Sequence, residues 1–132
     1  MTYRVIQWTT GHVGREAVKG IIRHPDLELV GCYAWSEHKA GKDVGELCGI
    51  EPTGVIATAD IEYLLAMDAD CVCYMPTFPD IDEVERILRA GKNVVSSYFI
   101  NARSWGPEVQ GRLIQAAEEG GVSLFGSGIF PG

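Results

Sequence analysis

The sequence predicts an α/β protein in which one doubly wound parallel sheet of about six strands is covered by crossover helices. Three observations carry that expectation. Short β-rich apolar runs alternate with stretches of helical period, which is the pattern of βαβ units. A glycine-containing turn, Thr9-Thr10-Gly11-His12-Val13-Gly14, closes the first apolar run and opens the first helical one. Residues 70–75 are apolar almost throughout, as a parallel strand buried on both faces must be.

The first strand is expected over residues 3–8. Residues 13–23 follow as a helix with Val13, Ala17, Val18, Ile21 and Ile22 on one face. His24-Pro25 ends it, because proline disfavours helical geometry in the residue before it. Strand two covers 27–35, and residues 36–54, rich in glycine and charge, form a loop with at most one helical turn over 44–47. A short third strand is expected over 55–58, then a helix capped by Asp60 and carrying Ile61, Leu64 and Leu65. After the fourth strand, Asp80 and Glu83 have capping-box spacing with aspartate in the Ser/Thr role. Ile81, Val84, Ile87 and Leu88 then stripe a helix that stops at Gly91. Strand five covers 93–97 and residues 98–106 form a loop. Pro107 suits the first turn of a helix running to Gly120, where Glu108 would favour the dipole. Strand six covers 122–125. The whole chain, 1–132, is then a single domain of Rossmann type with strand order 3-2-1-4-5-6.

Composition narrows the function classes. With 46% apolar and 22% charged residues, the chain is globular rather than disordered. The formal charge of −7, with 11 basic residues against 18 acidic ones, argues against a nucleic-acid partner, whose phosphates Lys and Arg must neutralise. No apolar run approaches the ~20 residues of a membrane helix, and the first residues read as a strand rather than a leader. No membrane partner and a cytoplasmic location are therefore expected. Cys32, Cys48, Cys71 and Cys73 lie in apolar strand-like segments or beside a glycine, which suits reduced structural thiols. No second pair accompanies Cys71 and Cys73 at ligand spacing, so no metal is expected. GxSxG, P-loop lysine and HExxH motifs are absent from the sequence.

The turn after the first strand holds the last two glycines of a GxGxxG fingerprint, with Thr9 in place of the first. Gly11 lets backbone approach a pyrophosphate and Gly14 permits close helix–strand packing. The free N–H groups at the helix start, with the positive end of its dipole, attract phosphate. Thr9, Thr10, Gly11, His12, Val13, Gly14 and Arg15 are thus the candidate phosphate-binding residues. The bland alternative is a turn that only joins strand to helix. Roughly 20 residues further on, the end of strand two should read an adenosine ribose. A carboxylate there would bind the ribose hydroxyls and repel a 2′-phosphate. Ser36 does neither, and Lys39, with His38 and Arg15 near, favours NADP over NAD. Glu37 is the competing ribose ligand, and a solvated loop is the competing reading of His38 and Lys39. Met75, Pro76 and Thr77 end strand four at the switch point, where ligands of open α/β sheets lie. The ends of strands five and six, Ser96-Ser97-Tyr98 and Gly126-Ser127-Gly128, should border the nicotinamide. Tyr98 and Glu108 are the candidate acids or bases there, with the helix-dipole role the favoured reading of Glu108.

Four segments together resemble one family: Val5-Ile6-Gln7-Trp8-Thr9-Thr10-Gly11-His12-Val13-Gly14-Arg15, Glu28-Leu29-Val30-Gly31-Cys32-Tyr33-Ala34-Trp35-Ser36, Gly41-Lys42-Asp43-Val44-Gly45-Glu46-Leu47-Cys48-Gly49 and Phe125-Gly126-Ser127-Gly128-Ile129-Phe130-Pro131-Gly132. They resemble the dihydrodipicolinate reductase-like proteins related to 2,4-diaminopentanoate dehydrogenase and the native amine dehydrogenases. The resemblance implies a Rossmann domain binding NADP(H) or NAD(H), which in full-length members is followed by an α+β domain that forms the substrate pocket and usually a homodimer. The expectation is therefore the N-terminal cofactor domain of an NAD(P)-dependent oxidoreductase acting on a C=N or C=O bond of a small metabolite. By itself the 132-residue chain is expected to bind and not turn over. The alternative from another class is a non-catalytic nucleotide-sensing module. His12 stands where the family has an asparagine. The glutamate that the family's amine dehydrogenases carry shortly after strand five has no counterpart in Tyr98-Phe99-Ile100-Asn101-Ala102, so no catalytic residue carries over.

Overall fold

Strand and helix signals resolve into one sheet whose pairings are all parallel, in the order β2-β1-β3-β4-β5. The computed structural model describes residues 2–76, 80–96 and 102–126. Along the chain the elements are β1 (Tyr3–Trp8), α1 (His12–Arg23), β2 (Leu27–Tyr33), α2 (Val44–Cys48), α3 (Ile61–Ala66), β3 (Cys71–Tyr74), α4 (Ile81–Arg89), β4 (Asn93–Ser96), α5 (Ala102–Gly120) and β5 (Leu124–Gly126). The helices divide between the two faces. On one, Ile6, Trp8, Val72, Tyr74 and Val94 lie under Leu64 of α3, Val84, Ile87 and Leu88 of α4, and Ala116 of α5. On the other, Val18 of α1 packs with Cys32, Ala34, Val44, Cys48 and Ala57.

Among the described residues the sheet has five strands where six were expected. The segment 55–58 does lie outside β2, but only Thr58 bridges it, in parallel at Tyr33, while Ile56 bridges Asp43 antiparallel. Its hydrogen bonds are split. The Thr58 N–H donates to Cys32 O at 2.9 Å, whereas the Ala57 N–H donates to Lys42 O at 2.9 Å and the Val44 N–H to Val55 O at 2.8 Å. The loop over 41–44 thus claims the groups that would have lengthened the ladder.

Two helices also depart from expectation. In α1 the buried positions are Gly14, Val18 and Ile21, and Val13 and Ile22 are exposed. At about 100° per residue the expected stripe spans half the helix, and Gly14 falls at its centre. Rolling the helix onto that glycine leaves the flanking Val13 and Ile22 in water. The last helix begins at Ala102, so Pro107 and Glu108 lie inside it rather than in its first turn. An aspartate at Asp60 caps α3 as expected, accepting from the Tyr63 N–H at 3.1 Å. Helices α4 and α5 are tied by Arg112, which donates to Asp82 at 2.6 Å and to Glu85, and by Arg89, which donates to Glu119 at 2.7 Å.

Asp43 organises the long loop. As N-cap of α2 its carboxylate accepts from the N–H groups of Gly45 (2.7 Å), Thr53 (2.8 Å) and Gly54 (2.8 Å) and from the Thr53 hydroxyl (3.0 Å). The bond from the Thr53 backbone, with those from Gly45 and Gly54, holds its pKa below the usual 3.8. A carboxyl lowered in the folded state contributes stability that is present above the usual pKa and lost as pH falls through the folded one. Asp43→Asn, whose Nδ2 cannot accept from Gly54, should lower the melting temperature at neutral pH. It should also flatten the fall of stability with acid. Thermal melts across the acid range measure both, and a variant melting with the parent's pH profile would rule out this role.

Candidate functional site

A cleft of about 620 Å³ opens at the carboxyl ends of β1, β2 and β3. Trp8 to Gly11 form its floor, Tyr33 to Ser36 and Lys39 one side, and Pro76, Asp80 and Glu83 the other. This is the topological switch point: the chain leaves β1 for the α1 face of the sheet and leaves β3 for the α4 face.

The floor turns at Thr9, which has φ +73° and is the one non-glycine among the described residues with positive φ. A β-branched residue there is disfavoured by about 1–2 kcal/mol. Three hydrogen bonds offset the strain. The Thr9 N–H donates to Tyr33 O at 3.0 Å, its Oγ1 donates to Met75 O at 2.9 Å, and its carbonyl accepts from the buried Gln7 Nε2 at 3.0 Å. The two glycines of the turn differ in their reasons. A Cβ on Gly14 would stand 2.5 Å from Thr9 O and 3.2 Å from Gln7 Nε2, so packing demands glycine there. A Cβ on Gly11 would meet no protein atom within 4 Å, so at this lining position glycine keeps cleft space free.

Charge is unevenly placed around the cleft. No side chain caps α1, whose N-cap is Gly11, and its first turn holds no acid. The Thr10 hydroxyl is buried and, among the described residues, has no partner, although Thr10 lines the cleft. Arg15 Nε and Lys39 Nζ both donate to Thr10 O, at 3.3 and 3.4 Å. Across the cleft the expected capping box is rerouted. Asp80 Oδ1 accepts from the Asp82 and Glu83 N–H groups at 2.9 and 3.3 Å, but the return arm runs through Tyr74: the Asp80 N–H donates to Tyr74 Oη at 2.9 Å, and Tyr74 Oη donates to Glu83 Oε1 at 2.8 Å. Burial, with Glu83 adding to it, pushes both Tyr74 and Tyr33 above the usual tyrosine range, so both stay protonated at neutral pH. Trp8 stacks on Tyr33 with centroids 4.6 Å apart, beneath the floor.

Of the residues singled out from the sequence, Thr9, Thr10, Gly11, Ser36, Lys39 and Pro76 line the cleft. Gly14 lies beneath it as packing, and His12, Val13 and Arg15 are exposed on the first turn of α1, outside the lining. Met75 contributes its backbone, the carbonyl to Thr9 and the N–H to Trp8 O at 3.1 Å. Glu37 and His38 are exposed and outside the lining, and Ser36 Oγ accepts from the His38 N–H at 3.2 Å. Thr77, Ser97, Tyr98 and residues 127–132 lie outside the described residues. The sequence reading did not assign Gln7, Tyr33, Trp35, Asp80 or Glu83 to the site. Gln7 alone carried a signal, as a lone amide within the otherwise apolar run Val5 to Trp8. Among the described residues no cluster of three or more His, Cys, Asp or Glu could hold a metal, and no helix is long and apolar enough to cross a membrane.

Sheet order, switch-point cleft and uncapped helix after a glycine-containing turn define an α/β domain of the Rossmann type. Residues 5–96 match the family described as "Dihydrodipicolinate reductase, N-terminus", and the chain belongs to that family. It is 37% identical over 136 residues to an amine dehydrogenase of Streptomyces virginiae, an alignment covering 96% of this chain and 38% of that protein. It is also 36% identical over 63 residues to the 4-hydroxy-tetrahydrodipicolinate reductase of Synechocystis, covering 48% of this chain and 23% of that one. Among solved structures, an amine dehydrogenase from Mycobacterium smegmatis superposes with a TM-score of 0.84 at 22% identity, over 96% of this chain and 39% of its own. The chain thus spans less than two fifths of the length of these relatives.

Three substitutions test the floor. Gly14→Ala should destabilise by about 1–3 kcal/mol, the range for overpacking against backbone that cannot move aside. Thr9→Val keeps the β-branch in the left-handed conformation but loses the bond to Met75 O, so it should cost about 1–2 kcal/mol. Thr9→Gly loses the same bond while relieving the strain and should lie close to the parent. Urea denaturation of the three variants measures this, and equal losses for Thr9→Val and Thr9→Gly would remove strain from the account.

Proposed function

We propose that the cleft binds NADP(H), and that the chain is the cofactor domain of an oxidoreductase acting on a C=N or C=O bond of a small metabolite. The observation that carries this is the uncapped start of α1 beside a buried, unpartnered Thr10 hydroxyl, with Arg15 and Lys39 converging on the Thr10 carbonyl. Such a place takes an anion: among the described residues no side chain caps the first-turn N–H groups of His12, Val13 and Gly14, and two cations stand by. The fit is supported by Gly11, where a Cβ would fill cleft space that the protein leaves open.

Thr9, Thr10, Gly11 and the start of α1 hold the pyrophosphate in this reading, with Arg15 supporting the turn. Ser36 and Lys39 face the adenosine ribose. Between 36 and 39 no carboxylate lines the cleft, so a 2′-phosphate meets Lys39 rather than a like charge. When bound, the cofactor supplies the hydride. The relatives are named as dehydrogenase and reductase, which supports an oxidoreductase.

Calorimetric titration with NADPH and NADH tests the assignment. NADPH should bind more tightly, and Lys39→Ala should weaken NADPH about 5- to 10-fold, the loss of roughly 1 kcal/mol at a half-exposed ionic contact, while leaving NADH nearly unchanged. A preference for NADH would assign the ribose to Glu37. A folded chain that binds neither would defeat the proposal.

A further inference from the structure

Trp35 has no role in the fold that its position explains. It is separated from the end of β2 by one residue, lines the cleft next to Ser36, and is 73% exposed, the most exposed large hydrophobic side chain among the described residues. Trp8 and Tyr33, the other aromatics of the wall, stack on one another; among the described residues no ring contact is made by Trp35. A solvent-facing indole at the mouth of a cleft leaves apolar surface in water that a flat ligand would cover.

Charge says which part of a ligand comes there. The cations and the open start of α1 lie around Thr10, and the carboxylates of Asp80 and Glu83 line the opposite wall. Phosphates are drawn to the first and repelled from the second. Between them the exposed indole of Trp35 offers an uncharged, flat apolar face, which suits an uncharged ring system. We propose that Trp35 is the platform on which the adenine of the dinucleotide stacks, making it the affinity-determining residue for the adenosine half. The proposal rests on the nucleotide reading of this cleft. Stacking is sequence-tolerant and strong, because every base has a π-face and the indole offers a wide one.

The test compares dissociation constants of NADPH and of 2′,5′-ADP, which carries the adenosine half alone, for the parent chain, Trp35→Ala and Trp35→Phe. Trp35→Ala should weaken both ligands by the same factor, about 5- to 100-fold, as removal of a stacking aromatic does. Trp35→Phe should stay within a few-fold of the parent. Because the indole is exposed, both variants should melt with the parent. Parent-like affinity of Trp35→Ala for both ligands overturns the proposal, and so does a loss confined to NADPH, which would place the indole against the other half. If the folded parent binds neither ligand, the nucleotide reading falls and this proposal falls with it.

Discussion

The geometry of the cleft depends on one strained residue. Thr9 ends β1 in a left-handed conformation and from there holds the ends of two further strands, β2 through its N–H and β3 through its hydroxyl. Its carbonyl, kept in place by Gln7, is also the surface on which α1 lands. The floor, the ends of β2 and β3 and one helix start therefore share a single anchor residue. A glycine would adopt the same backbone more easily but could not reach Met75. Strain of about 1–2 kcal/mol is traded for a hydroxyl that fixes the β3 end against the floor.

This arrangement accounts for the placement of charge. Because the N-cap of α1 is a glycine, which carries no capping side chain, the positive end of the helix is left to whatever enters the cleft. Arg15 and Lys39 bind the same carbonyl from different elements, and so concentrate positive charge in a protein whose net charge is −7. The acids of α4 face them from across the cleft, where Tyr74 keeps Glu83 hydrogen bonded. The cleft is polarised along its width, which orients any ligand that has a charged and an uncharged end.

Much of this was legible in the sequence, and the parts that were not have physical reasons. Alternation of strand and helix signals located every strand that formed, because burial on both faces makes a parallel strand read as an apolar run. The third strand read the same way, since Val55 to Thr58 have the composition. What the composition could not carry was competition from the 41–44 loop for the same N–H and C=O groups. The phosphate-side residues Thr9, Thr10 and Gly11 were legible because turn chemistry is local. Trp35 and Glu83 were not, since their place in the cleft follows from the crossing of β2 and α4 ends that are distant in sequence. Pro107 misled because proline marks helix starts on average, and α5 instead carries it inside.

The split third strand has a consequence for how this domain meets other molecules. Outer strands of a sheet expose a row of unpaired N–H and C=O groups on which a foreign strand can template. Beyond β2 that row is interrupted, because alternate groups of 55–58 turn inward to Thr58's partners and outward to the loop of Asp43. At the other end of the sheet β5 is three residues long. Among the described residues both ends of the sheet thus offer only short stretches of ladder, which limits edge-to-edge pairing by topology rather than by edge lysines or prolines.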